Sequence, residues 1–169
     1  MKAKIILAFA LFGIYTTCLG QRNPSWDKWS WLIGEWAGEG SGQPGVGGGT
    51  FSFKADLDKK ILVRNSHSEY PASGNKPMVI HNDLMIIYPD YTANPVKAIY
   101  FDNEGHIINY SISYIDQSIV LTSERIPNGP IFRLTYSLLE NGMVNTKFEM
   151  SQDGEKFSTY IEGKSKKTK

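Results

Sequence analysis

His67, His81 and His106 are the only histidines among the 169 residues, and each sits in a run rich in other polar groups. Arg64, Asn65, His67, Glu69 and Tyr70 fall together, His81 lies near Asp83, and Tyr100, Asp102 and His106 flank Asn103-Glu104-Gly105. Residues of these types bind a polar ligand head or move protons. On a hairpin register Tyr100, Asp102, His106 and Tyr110 share one face, with Asp102 close to His106 across the turn. The plainer reading of that pair is an exposed contact worth under about 1 kcal/mol, and it is the preferred one. Arg64 and His67 point to opposite faces of a regular strand unless a bulge intervenes. Buried polar groups need partners, and a ligand can supply them. Arg64, His67, His81, Tyr100, Arg133 and Tyr160 are therefore the candidate ligand anchors.

Other chemistries find less support. The histidines are separated by long gaps and lack the local ligand spacing of structural zinc sites, so no metal site is assigned. There is no glycine-framed serine of the hydrolase kind, and the single cysteine, Cys18, lies near the N-terminus. Glu35 and Glu39, or Asp56 and Asp58, alternate like solvent-facing residues, so no catalytic residue is assigned. The run Gly40 to Gly45 fits the spacing of a dinucleotide loop but has no helix after it. It reads as part of a loop at a barrel mouth, with gating as the sharper alternative.

The elements that must hold these residues are mostly strands. Ten are expected, near 34–41, 49–56, 60–70, 78–88, 96–102, 106–115, 118–125, 131–139, 143–150 and 157–163. Asn103-Glu104-Gly105, Pro127-Asn128-Gly129, Glu140-Asn141-Gly142 and Gln152-Asp153-Gly154 carry hairpin-turn chemistry. Successive hairpins predict an antiparallel meander, and so long a meander leaves two exposed edges unless it closes into a barrel. A sandwich is the alternative. Before the first strand, Asn23 and Pro24 are placed to start a short amphipathic helix presenting Trp26, Trp29 and Ile33. The fold class is thus all-β: an up-and-down barrel plugged by an N-terminal helix.

Residues 1–20 have the pattern of a signal peptide, with Lys2 and Lys4 before an apolar run from Ile5 to Tyr15. The expected location is secreted or periplasmic, and no transmembrane segment is expected in the mature chain. A lipid anchor on Cys18 is the minor alternative, because Tyr15 and Thr17 stand where a lipoprotein site has an aliphatic and a small residue. Residues 21–163 form the barrel domain on this reading, and 164–169 a solvated basic tail. The whole chain carries a formal net charge of +1, and removing the leader's two lysines brings it to −1. That balance argues against a nucleic-acid binder, which needs a basic footprint.

The stretch WLIGEWAGEGSG, Trp31 to Gly42, resembles the opening of the calycin superfamily, where a glycine, any residue and a tryptophan mark the first strand. Gly34 and Trp36 fit, and the resemblance implies that they close one end of the barrel. The fuller pattern, with Gly38, Gly40 and Gly42 following at alternate positions, is similar to that of nitrobindin-type haem barrels, which are ten-stranded. Those barrels hold haem through a histidine late in the sequence, whereas the last one here is His106. Haem therefore carries over only if His67, His81 or His106 takes that role. The arginine that many lipocalins bring from their last strand is missing. The chain most resembles secreted bacterial calycin-like domains of unassigned function.

Three functions follow as expectations. The leading one is a binding barrel for a small, largely apolar or amphipathic ligand. The second is a haem-binding or isomerase-type enzyme built on the same histidines, and the third an interaction protein whose barrel is filled. Oligomeric state is left open.

Overall fold

The computed structural model describes residues 23–40, 48–72, 77–127 and 129–169. The expected leader with Cys18, and the glycine-rich run from Ser41 to Gly45, lie outside the described residues. The strands are β1 (Gly34–Gly38), β2 (Thr50–Asp56), β3 (Ile61–Tyr70), β4 (Val79–Tyr88) and β5 (Lys97–Asp102). They continue with β6 (Ile107–Ile115), β7 (Ser118–Ser123), β8 (Ile131–Leu138), β9 (Val144–Ser151) and β10 (Ser158–Lys167). Each pairs antiparallel with the next, and β1 pairs with β10, so the sheet closes into a ten-strand barrel. A sandwich is ruled out. Among the described residues no helix is long and apolar enough to cross a membrane.

Alternation along each strand separates the inside from the outside. Facing inward near one end are Phe53, Leu62, Ile87, Ala98, Ile119 and Val144, each at most 1% exposed. Their register links them round the wall: Leu62 faces Ile87, Ile87 faces Ala98, and Ile119 faces Tyr136. The same end is closed by the segment before β1. Trp29 is fully buried, with its ring 5.8 Å from Phe53 and its Nε1 donating to the Tyr114 hydroxyl at 2.9 Å. Trp36 is buried and its Nε1 donates to the Leu32 carbonyl at 2.8 Å. Gly34, at φ +136°, lets the last strand approach closely, since a Cβ there would lie 2.5 Å from Lys167 Cε and from the Lys169 carbonyl oxygen.

The expected helix is not formed. Its place is taken by a single 3-10 turn, Asp27–Trp29, without a side-chain cap, followed by a turn in which Leu32 N–H donates to the Trp29 carbonyl. So few residues cannot sustain a helix by propensity, and their indoles are drawn to separate partners. Trp26 Nε1 donates to the Lys59 carbonyl while Trp29 goes inside.

The tail is not a solvated end. β10 runs through Lys167, pairing Ser165, Lys166 and Lys167 with Gly38, Ala37 and Trp36. Beyond it, Lys169 O accepts from Glu35 N–H at 3.0 Å and Thr168 N–H donates to Glu35 O at 2.8 Å. Lys164 and Lys166 point to solvent while Ser165 is buried, so the lysine count describes the side chains and not the backbone that closes the barrel.

Ending the chain at Lys164 removes every β1–β10 pair. The truncated protein should melt on the order of 10 °C lower or lose a cooperative transition. Thermal unfolding followed by circular dichroism tests this, and an unchanged melt would show that the seam is dispensable.

Candidate functional site

Toward the other end the inward positions change character. Ser66, Ser68, His81, Ile108, Phe132 and Phe148 are only half-buried, although the plugged-end positions on the same strands are sealed. The inward face is therefore less enclosed toward the end that carries the β3–β4, β5–β6, β7–β8 and β9–β10 connections, the rim, than at the plugged end. Phe132 and Phe148 stack at 5.6 Å on one wall, and Tyr160 meets Phe148 edge-on at 6.2 Å.

A polar layer lies between the sealed and the less enclosed inward positions. Arg64 Nη1 is paired with Asp83 Oδ1, and the two side chains are 9% and 6% exposed. Burial, the largest single influence, would weaken the Arg64 cation, but the Asp83 carboxylate together with Tyr136, Tyr100 and Tyr110 outweighs it and raises the pKa. The guanidinium also lies 5.8 Å over the Phe51 ring. Burial pushes the Tyr136 phenol up to about 12, with Arg64 opposing. It pushes Tyr100 and Tyr110 higher still, Asp83 adding to the rise in both. At neutral pH all three are uncharged donors, leaving Asp83 as the counter-charge of Arg64.

Among the described residues, three buried side-chain atoms make no hydrogen bond: Arg64 Nε, the Tyr136 hydroxyl and Thr146 Oγ1. Tyr136 and Thr146 are cross-strand partners. Each such atom costs about 1–3 kcal/mol when left unsatisfied.

From this layer a chain of contacts climbs to the rim. His81 Nε2 lies 3.7 Å from Asp83 Oδ2 and 3.0 Å from the Tyr100 hydroxyl, and His81 Nδ1 is 3.0 Å from Glu104 Oε1. The Tyr100 hydroxyl also reaches Asp102 Oδ2 at 3.2 Å, so its proton has two acceptors, His81 and Asp102. Asp102 Oδ1 accepts from the backbone N–H groups of Glu104 and His106, and Oδ2 accepts from His106 Nδ1 at 2.8 Å. Gly105, at φ +92°, makes that turn. Burial would raise the Asp102 pKa, but the hydrogen bonds from His106 and Glu104 win and lower it.

Of the six expected anchors, Arg64, His81 and Tyr100 are brought together. His67 lies on the outer face, 47% exposed, held by Asn82 Oδ1 at 2.7 Å and Glu69 Oε1 at 3.0 Å, which raise its pKa. Arg133 is also outside, because its neighbours Phe132 and Leu134 face in. Its Nε donates to Glu149 Oε2 at 2.7 Å and its guanidinium covers Phe157 at 3.9 Å. That hydrogen bond, against burial, keeps the Glu149 carboxyl below its ordinary value. Tyr160 sits 64% exposed at the β10 register shift between Thr159 and Ile161. Asp83, Tyr136 and Thr146 were not among the expected anchors. Asp83 could have been found from the β3–β4 register, where Ser66 faces it one step beyond Arg64, but the connection between those strands is too long to set a register from sequence.

Among the described residues no three histidine, cysteine, aspartate or glutamate side chains are grouped to hold a metal. For haem, His67 faces away and both His81 ring nitrogens are engaged, leaving His106 with an open Nε2 at the rim.

No family model matches the chain, and no curated protein matches it. Among solved structures it is similar to Rv2717c from M. tuberculosis, with a TM-score of 0.55 and 14% identity over 86% of this chain and 98% of that one. At that identity the likeness bears on the fold alone: the chain is an all-β protein that closes as a ten-strand barrel.

Asp83→Ala strands a buried guanidinium and should cost about 3–5 kcal/mol in urea unfolding, whereas the Arg64→Met, Asp83→Leu pair should cost clearly less. Equal losses would show that the pair's charge is not what matters. The lowered pKa of Asp102 makes its contribution full above the ordinary value of 3.8 and lost as pH falls through the lower folded value. Asp102→Asn should therefore be less stable than the parent at neutral pH, with the gap closing in strong acid. A gap independent of pH would contradict that assignment.

Proposed function

We propose that this barrel binds a small amphipathic molecule, its apolar body against Phe132, Phe148 and Ile108 and its polar end on the Arg64 layer. The observation that carries the reading is the set of three buried, unpartnered polar atoms together with the half-buried aromatic side chains nearer the rim. Ligand sites combine a mostly apolar wall with a few convergent polar groups, and a packed core does not leave its polar atoms unpaired. The leader-like pattern of residues 1–20 supports a location outside the cytoplasm for this binding.

The test is saturable binding of diphenylhexatriene, an uncharged hydrocarbon dye whose fluorescence rises in apolar surroundings. The parent protein should bind it, and Phe132→Ala with Phe148→Ala should weaken binding about tenfold, the equivalent of about 1.4 kcal/mol. No saturable binding by a folded parent sinks the reading.

A second reading, a haem-binding barrel with the isomerase chemistry of that type, has one observation in its favour. His106 is oriented by a carboxylate at Nδ1 while Nε2 stays open, the way proteins commonly hold a metal-ligating imidazole. Haem added to the folded protein should then give a shifted Soret band that His106→Ala abolishes. An unshifted band removes this reading.

A further inference from the structure

The polar layer around Arg64 carries information about the ligand's polar end. We propose that this end is an uncharged hydrogen-bond acceptor, a ketone, ester or amide carbonyl, and that a carboxylate is rejected. The inference rests on the binding reading above and narrows it.

Charge balance comes first. An arginine inside a barrel invites an anion, but here Asp83 already occupies Arg64 Nη1, and both side chains are buried. A ligand carboxylate docking on Arg64 would sit beside the Asp83 carboxylate in a poorly solvated place, where like charges repel strongly. Further up its path an anion would pass Asp102 and Glu104, the latter bound to His81 at the rim. Facing these carboxylates, the cationic or potentially cationic side chains are Arg64, His81 and His106, each already held by Asp83, Glu104 or Asp102.

The open groups say what is wanted instead. Arg64 Nε carries an N–H and no lone pair, so it donates only, and the Tyr136 phenol is protonated at neutral pH. Both side chains lie beside Phe51, whose ring is 5.8 Å from the guanidinium carbon and 6.0 Å from the Tyr136 ring. Thr146 adds a hydroxyl across from Tyr136, and its neighbour on β10 is Gly163, which contributes no side chain to the wall. A carbonyl oxygen, with two lone pairs and no charge, matches two such donors. A hydrocarbon end leaves them unmet, and a site built to hydrogen-bond a group discriminates against an analogue lacking it.

The experiment displaces diphenylhexatriene from the folded protein at neutral pH with three chains of equal length: 2-undecanone, undecane and undecanoate. The ketone should bind at least about tenfold tighter than either of the others, although undecane is the more apolar. Asp83→Asn frees Arg64 for an anion and should narrow the ketone-to-undecanoate gap about tenfold. Should that variant fail to fold, Tyr136→Phe, which loses one oxygen, should narrow the ketone-to-undecane gap about fivefold. Dye binding with undecane or undecanoate equal to or better than the ketone overturns this inference and leaves the binding reading standing. Absence of dye binding overturns both.

Discussion

The seam between β1 and β10 pairs only Trp36–Gly38 with Ser165–Lys167, yet it removes both free edges of a ten-strand sheet. Closure turns the two faces of the sheet into an inside and an outside, and from then on strand parity decides what each side chain can do. It sends Arg64 inward and His67 outward on the same strand, and it separates Phe132 and Leu134 from Arg133 on β8. The plug depends on the same closure. Trp29 is fully buried against Phe53 of β2, which itself packs 5.4 Å from Tyr136 of β8.

Much of this frame was legible because it is encoded locally. Turn residues after β5, β8 and β9 and alternation such as Phe51/Phe53 need no distant information, so strand number, connectivity and closure could be read. The opposed faces of Arg64 and His67 and the Asp102–His106 contact were legible for the same reason: one strand in the first case, one tight turn in the second. Features that depend on distant partners were not. The pairing of Arg64 with Asp83 depends on the β3–β4 register, the 3-10 turn on Lys59 and Tyr114, and the last strand's length on β1. Arg133 shows the limit from the other side. Its strand was placed correctly, but nothing local said that Glu149 and Phe157 would occupy it on the outer face.

The layer around Arg64 is costly in a protein of this size. Desolvating an ion pair consumes much of its own attraction, and apolar replacements of equal volume commonly match or exceed its stability. The plugged half of the same barrel illustrates the alternative, since Leu62 and Ile87, one pleat below Arg64 and Met85, fill their layer without polar atoms. The expense rises further with three polar atoms left unpaired at the point where the packed half ends. A barrel selected only for a filled interior would continue the apolar packing to the rim. The charge pair, its ring of neutral phenols and the stacked Phe132 and Phe148 above it are the features on which the proposed binding reading rests. Because Asp83 neutralises Arg64 in place, the pair offers directed N–H groups without net charge, and under the proposed reading that is the difference between recognising an oxygen and attracting an anion.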